Sequence, residues 1–168
     1  FVRTLFDSDV EITDELADLA ADVHAALERH ADGLTSGFDD RRRRAVMDDL
    51  GAAATRYRER VYSGIGPSRR TVHAAAVAEL LDLSLRYTDA GLDHSWRDDG
   101  LVHSYNVLDL GDGTAAIRRL APMLEGQVAA LSSGELSPRQ SLDLLAALRR
   151  SALYRADQNS YLLYPDKD

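Results

Sequence analysis

Cysteine is absent from this chain, and lysine and tryptophan each occur once. Without cysteine, disulfides and thiolate metal sites are excluded, although this absence fits either side of a membrane. No apolar run approaches the roughly 18 residues that a membrane-spanning helix needs. We therefore expect no membrane partner. The compartment stays open, with the cytoplasm as our expectation.

Positive charge is also in deficit, because 20 basic residues against 28 acidic ones leave a formal net charge of -8. A surface that binds phosphate backbones needs a basic footprint, so we expect no nucleic-acid partner. The hydrophobic share of 45% and the charged share of 29% are ordinary for a folded soluble protein.

The length of 168 residues suits one domain. We predict a single helical domain over residues 1–168. Because the chain opens at Phe1 without an initiator methionine, we expect a piece of a longer protein or a processed product. The oligomeric state stays open.

Helical periodicity dominates the first two thirds of the chain. The opening, residues 1–12, is mixed apolar and acidic and is either extended or a short helix. Three helices are predicted after it: one capped by Thr13 and ended by Gly33 and Gly37, one starting at Asp39 or Asp40, and one from Thr71 to about Trp96.

Two further helices are predicted in the last third. The fourth spans Thr114–Ser132, with a kink at Pro122. The fifth has Ser137 as N-cap and Gln140 completing a capping box. Its predicted inward residues are Leu142, Leu145, Leu148 and Ala152. The fold class is therefore all-α: about five helices in one bundle-like domain, with an irregular polar segment near residues 98–113.

Four consecutive arginines, Arg41–Arg44, open the second helix. A charge run of this kind is usually a solvated face that pairs with nearby carboxylates. The sequence offers Asp39, Asp40, Asp48 and Asp49 as partners. An anion site is the alternative interpretation.

Polar and aromatic residues cluster in the last third more densely than a helical scaffold needs. Glu125 and Gln127 flank the apolar stripe of the fourth helix and bracket Gly126, which permits close backbone approach. A carboxylate at a core edge can have its pKa raised by desolvation and act as an acid. Glu125 is therefore the candidate catalytic residue, and a half-exposed partner of an arginine is the alternative.

A second cluster places His103, Ser104, Tyr105 and Asn106 side by side. An imidazole, two hydroxyls and an amide suit hydrogen bonding to a sugar or another polyol, aided by the aromatic face of Tyr105 or Trp96. They also suit anchoring an irregular segment to its neighbours. Both interpretations stay open.

A third cluster lies between Tyr154 and Tyr161. Its candidate ligand-binding residues, together with those of the other clusters, are His103, Tyr105, Asn106, Gln127, Arg155, Asp157, Gln158 and Tyr161. Such side chains either line a groove or satisfy loop backbone. No metal-ligand spacing such as His-Glu-x-x-His occurs, so we expect neither a metal nor a cofactor.

The three clusters also carry a resemblance to a protein family. The runs Asp99–Asn106, Met123–Val128 and Ser151–Pro165 resemble a segment of very long bacterial proteins, mostly uncharacterised and sometimes labelled as similar to cellobiose phosphorylase. The resemblance implies a carbohydrate context and a fragment of a larger helical toroid. It assigns no catalytic residue.

Two functions are consistent with these patterns. The first is a carbohydrate-related module of a larger glycoside phosphorylase-like or hydrolase-like protein, with the three clusters meeting in one pocket. The second is a non-catalytic helical scaffold or protein-interaction module. The partner is then a carbohydrate or the remainder of a larger polypeptide, and convergence of the clusters discriminates the two.

Overall fold

The computed structural model describes residues 9–64 and 66–165. Over these residues the elements are β1 (Val10–Thr13), α1 (Asp14–Arg29), α2 (Gly33–Ser36), α3 (Asp40–Ser63), β2 (Arg69–Val72), α4 (Ala74–Asp93), β3 (Asn106–Gly111), β4 (Thr114–Arg119), α5 (Leu124–Ser132), α6 (Pro138–Arg150), β5 (Tyr154–Arg155) and β6 (Ser160–Tyr161). In this part of the chain no helix is both long and apolar enough to cross a bilayer.

The all-α prediction is wrong, because three two-stranded sheets accompany the helices. The strand β1 pairs antiparallel with β2, which places Val10 opposite Val72. The prediction for residues 1–12 concerns mainly residues outside the described ones, but its end, from Val10, is extended.

The predicted fourth helix is wrong over about its first half, because Thr114–Arg119 forms the strand β4 beside β3 and the helix begins only at Leu124. Gly113 adopts a φ of 68° in the connecting turn, a backbone conformation that glycine adopts without steric cost. The helix α5 begins only after Pro122, so this proline does not kink it. Within the predicted irregular segment, residues 106–111 are extended.

The chain divides into two compact units. The first contains the described residues up to Ala90 together with Leu110–Ala116, and the second contains Gly91–Asp109 and the chain from Ile117 onward. The single-domain expectation stays a prediction.

In the first unit, α1 packs against α3. Thr13 caps α1 as predicted, since its side chain accepts a hydrogen bond from the backbone of Leu16. Ion pairs join the two helices, among them Arg56 with Asp22 at 2.8 Å. The buried positions are mostly alanines and leucines, which allow the helices to approach closely.

The arginine run at the start of α3 pairs with carboxylates, and it also binds backbone. Arg43 donates to the carbonyl of Ala115 at 2.6 Å and to that of Phe38 at 2.9 Å. Arg44 donates to Asp48 at 2.8 Å and to the carbonyl of Gly111 at 3.2 Å. Two of the four guanidinium groups therefore bind backbone carbonyls of the hairpin formed by β3 and β4, and this is not an anion site.

The second unit is built around a leucine-rich core beneath α6. Its buried residues are Leu101, Val102, Leu144, Ala147, Leu148 and Leu153, with Trp96 packed against them. The capping box of Ser137 and Gln140 at the start of α6 is confirmed. Of the predicted inward residues, Leu148 is buried as predicted, but Leu142 and Leu145 are 65% and 45% exposed and Ala152 is exposed as well.

Candidate functional site

A tight turn carries the chain from α4 into the predicted polar segment. Trp96 and Val102 form an antiparallel bridge, and the N–H of Arg97 donates to the carbonyl of Leu101 at 2.9 Å. Gly100 has a φ of 80°, which favours glycine, and a Cβ there would lie 3.2 Å from that of Ala147. The turn at residues 98–100, at the start of the predicted irregular segment, therefore lies directly against α6.

Gln127 is fully buried, and its amide is fully used by backbone. Its Oε1 accepts from the N–H of Val102 at 2.8 Å, and its Nε2 donates to the carbonyl of the same residue at 2.8 Å. Nε2 also donates to the carbonyl of Met123 at 3.0 Å. A side chain on α5 thus makes the pair of bonds that a neighbouring strand would otherwise make.

Gly126 lies where α5 comes closest to the segment after Val102. A Cβ at this position would stand 1.9 Å from the Oγ and 2.7 Å from the Cβ of Ser104. The Oγ of Ser104 and the Nδ1 of His103 are buried and have no hydrogen-bond partner among the described residues. The predicted close approach at Gly126 is confirmed, and it buries two of the polar groups in the second cluster.

Glu125 and Tyr105 form a pair at the surface. The hydroxyl of Tyr105 donates to Oε2 of Glu125 at 3.1 Å, and this bond raises the pKa of the tyrosine. Glu125 is exposed, so it lacks the desolvation on which the catalytic interpretation depends. Asn106, the last residue of the cluster, is also exposed and begins β3.

The third cluster is paired within its own turn. Arg155 forms two hydrogen bonds with Asp157, at 2.9 and 2.7 Å, and the pair lowers the pKa of that carboxyl. Asn159 accepts from the hydroxyl of Tyr154 at 2.9 Å, and the Oε1 of Gln158 lies 3.5 Å from the hydroxyl of Ser160. The Tyr161 ring stands 5.2 Å from that of Tyr154. Most of these contacts lie within the turn, and the Oδ1 of Asn159 also accepts from Arg149 on α6 at 3.5 Å.

The structure thus brings the first two clusters together. Residues 103–105 meet residues 125–127 along one side of α5. The third cluster reaches α5 through backbone, where the N–H of Leu124 donates to the carbonyl of Leu163 at 2.9 Å. The predicted ligand-binding roles of all these residues stay predictions.

The half-buried imidazole of His103 predicts a pH dependence of stability. Burial lowers the pKa of His103, and the nearby cations of Arg119 and Arg97 lower it further. Between that lowered value and about 6.5, the unfolded chain binds a proton that the folded chain does not. The stability contribution is therefore complete above about pH 6.5 and declines as the pH falls through this window.

We expect the melting temperature of the chain to fall between pH 7.5 and pH 5.5, and to fall less in a His103→Gln variant. The variant His24→Gln, with its histidine on α1 of the first unit, is the control and should keep the full decline. Equal declines in all three proteins would show that His103 is not the responsible group.

A polar cleft in the second unit lies away from these clusters, between the turn at Gly100 and α6. This cleft, called the Trp96 cleft below, has a volume of about 630 Å³. The side chains that give it its chemistry are Asp93, Trp96, Asp98, Gln140, Asp143 and Arg150. An indole beside carboxylates, an amide and a guanidinium provides both an apolar face and groups that bind hydroxyls.

The charges of the Trp96 cleft differ in how far they are satisfied. Asp99, which also lines it, is held by Arg97, and that bond lowers the pKa of its carboxyl. Asp143 pairs with Arg139 at 3.0 Å. The side chains of Asp93, Asp98 and Arg150 make no hydrogen bond or ion pair within residues 9–64 and 66–165. These three groups are therefore free to meet a ligand.

The sequence contains a signal for this cleft that our prediction does not use. Gln140, Asp143, Ala147 and Arg150 recur at intervals of three and four residues, which places them on one face of a helix. Our prediction assigns Gln140 to the capping box alone and gives Asp143 and Arg150 no role. Among the described residues, no group of three or more histidines and acids could hold a metal ion.

A comparison with protein-family models finds no match for this chain, and a comparison with curated proteins also finds none.

Proposed function

We propose that the second unit is a carbohydrate-binding module of a larger protein and that the Trp96 cleft receives the sugar. The observation that carries the proposal is the set of unpaired polar side chains, Asp93, Asp98 and Arg150, around an indole. Sugars present hydroxyls at their edges and C–H groups on their faces, so they match this combination. The resemblance described above supports the same ligand class.

The proposal concerns binding and assigns no bond-breaking step. Glu125, the candidate acid, is exposed, bonds to Tyr105 and does not line the cleft. A glycoside hydrolase needs a pair of carboxyl groups set across the scissile bond, one of them holding its proton. The cleft carboxyl of Asp99 has a lowered pKa, which is the opposite of what an acid needs.

Trp96 is the only tryptophan of the chain, so its fluorescence reports on the cleft directly. We expect emission to shift in titrations with at least one of a panel of soluble α-glucans, β-glucans, xylans and chitin oligomers. In an Asp98→Asn variant we expect about a tenfold weaker affinity, because the amide replaces a charged hydrogen-bond acceptor.

Asp112→Asn is the matched control, since Asp112 is exposed in the turn between β3 and β4 and does not line this cleft. It should bind as the unchanged protein does. If no sugar of the panel changes the emission, the carbohydrate proposal is wrong.

A scaffold or protein-interaction module is the second candidate, and a specific observation favours it. Leu142 and Leu145 are exposed on α6, and the polar groups of the third cluster are used within their own turn. Exposed leucines on one helix face are typical of surfaces that pack against another polypeptide. Here the partner would be the remainder of a larger protein.

A further inference from the structure

A second cavity adjoins the Trp96 cleft. It has a volume of about 460 Å³ and shares Asp99, Ala147 and Arg150 with the cleft. Leu101, Pro122 and Ala152 give it a largely apolar lining, which Arg97 and Ser151 complement. Each cavity alone lies within the roughly 300–1,000 Å³ that is usual for small-ligand sites. Because they share three lining residues, the two cavities lie side by side and form the two halves of the candidate site.

Arg150 stands at the junction of the two halves. Its side chain is exposed and makes no hydrogen bond or ion pair within the described part of the chain. The neighbouring Arg149 differs, because its guanidinium lies 4.3 Å from the ring centre of Tyr154. A guanidinium has five N–H donors in a planar fork, so it is suited to binding several oxygens at once.

Resting on the proposed function, we propose that the ligand is an oligosaccharide of at least two units lying across both cavities. Successive rings place one unit against Trp96 and the next against the apolar lining at Pro122 and Ala152. Arg150 donates to oxygens on both sides of the linkage between them. A single ring fills one half only and leaves the contacts of the other half unmade.

The test compares a monosaccharide with the matching disaccharide and trisaccharide of whichever series shifts the Trp96 emission. Calorimetry gives the affinity and the number of sites for each ligand. We expect one site per chain and at least a tenfold gain in affinity from one unit to two or three. In an Arg150→Gln variant most of this gain should be lost.

Two further variants isolate the second cavity. Ala152 is exposed and, of the two cavities, lines only the second, so Ala152→Phe should remove the gain in affinity with chain length. Arg41→Gln is the charge-matched control, because Arg41 is exposed on α3 and lines neither cavity. It should preserve both the affinities and the gain.

Three results would overturn the oligosaccharide inference while leaving carbohydrate binding in place. They are equal affinity for one and three units, two monosaccharide sites per chain, or an unchanged gain in the Ala152→Phe variant. A chain that binds no sugar of any length would instead overturn the proposed function itself.

Discussion

Replacing Gln127 with leucine is expected to lower the free energy of unfolding by about 3 kcal/mol. The leucine keeps most of the volume but leaves the N–H and the carbonyl of Val102 without the partners that Gln127 supplies. A buried polar group without a partner costs roughly 1–3 kcal/mol, and here two backbone groups lose their partner. Denaturant unfolding followed by circular dichroism measures the change.

The control for this substitution is Gln158→Leu, at an exposed position in the turn between β5 and β6. Its expected effect is below about 0.5 kcal/mol, as for most surface substitutions. A Gln127→Glu variant adds a sharper comparison, because a carboxylate accepts from the N–H of Val102 but cannot donate to its carbonyl. Equal stability of the leucine variant and the unchanged protein would contradict the role assigned to the amide.

Replacing Gly126 with alanine is expected to lower the free energy of unfolding by about 2 kcal/mol or more. Alanine is the better helix former by about 1 kcal/mol, so propensity alone predicts the opposite sign. The close approach decides the outcome, since the new Cβ would stand 1.9 Å from the Oγ of Ser104. Thermal and denaturant unfolding test this directly.

Two controls make this prediction specific. Gly51→Ala in α3 meets nothing within 4 Å, so it should stabilise the protein by about 0.5–1 kcal/mol. Adding Ser104→Gly to Gly126→Ala should recover much of the loss, because the nearest remaining atom is then the Ser104 Cα at 3.2 Å. Adding Ser104→Ala should recover less, because its Cβ still lies 2.7 Å away. A stabilising Gly126→Ala would refute the argument.

Local signals in the sequence were sufficient for the starts of α1 and α6, but the starts predicted at Thr71 and Thr114 are wrong, because both residues lie in strands. Thr13 and Ser137 cap their helices as predicted, because a cap depends on residues only three positions apart. The inward face of α6 was not predictable in this way. Apolar residues occur on two stripes of that helix, and packing against Leu101 and Leu153 selects the one containing Leu144 and Ala147.

The strand β4 shows where helical periodicity fails. Thr114–Arg119 contains two alanines and no helix breaker, so its composition is consistent with a helix. Pairing with β3 overrides that preference. The dipeptide Asp112-Gly113 before it is a hairpin signal, whereas we predict only a turn there, at the end of the irregular segment.

The meeting of the first two clusters was predictable from the sequence, but the Trp96 cleft was not. The meeting of residues 103–105 with 125–127 follows from a polar segment and a glycine-containing helix that are close in sequence. Which atoms stay free depends on bonds across 25 residues, such as that of Gln127 with Val102. The unpaired charge of Arg150 likewise becomes visible only once its surroundings are known.

The pair of hydrogen bonds between the Gln127 amide and the Val102 backbone has a consequence for sequence change in relatives of this chain. By clamping one side of α5, the amide fixes the angular setting of the whole helix, and that setting aims position 126 at Ser104. The steric requirement for glycine at position 126 is therefore a consequence of the hydrogen bonds that Gln127 makes. We expect a side chain at position 126 only in relatives that have also lost the glutamine at position 127.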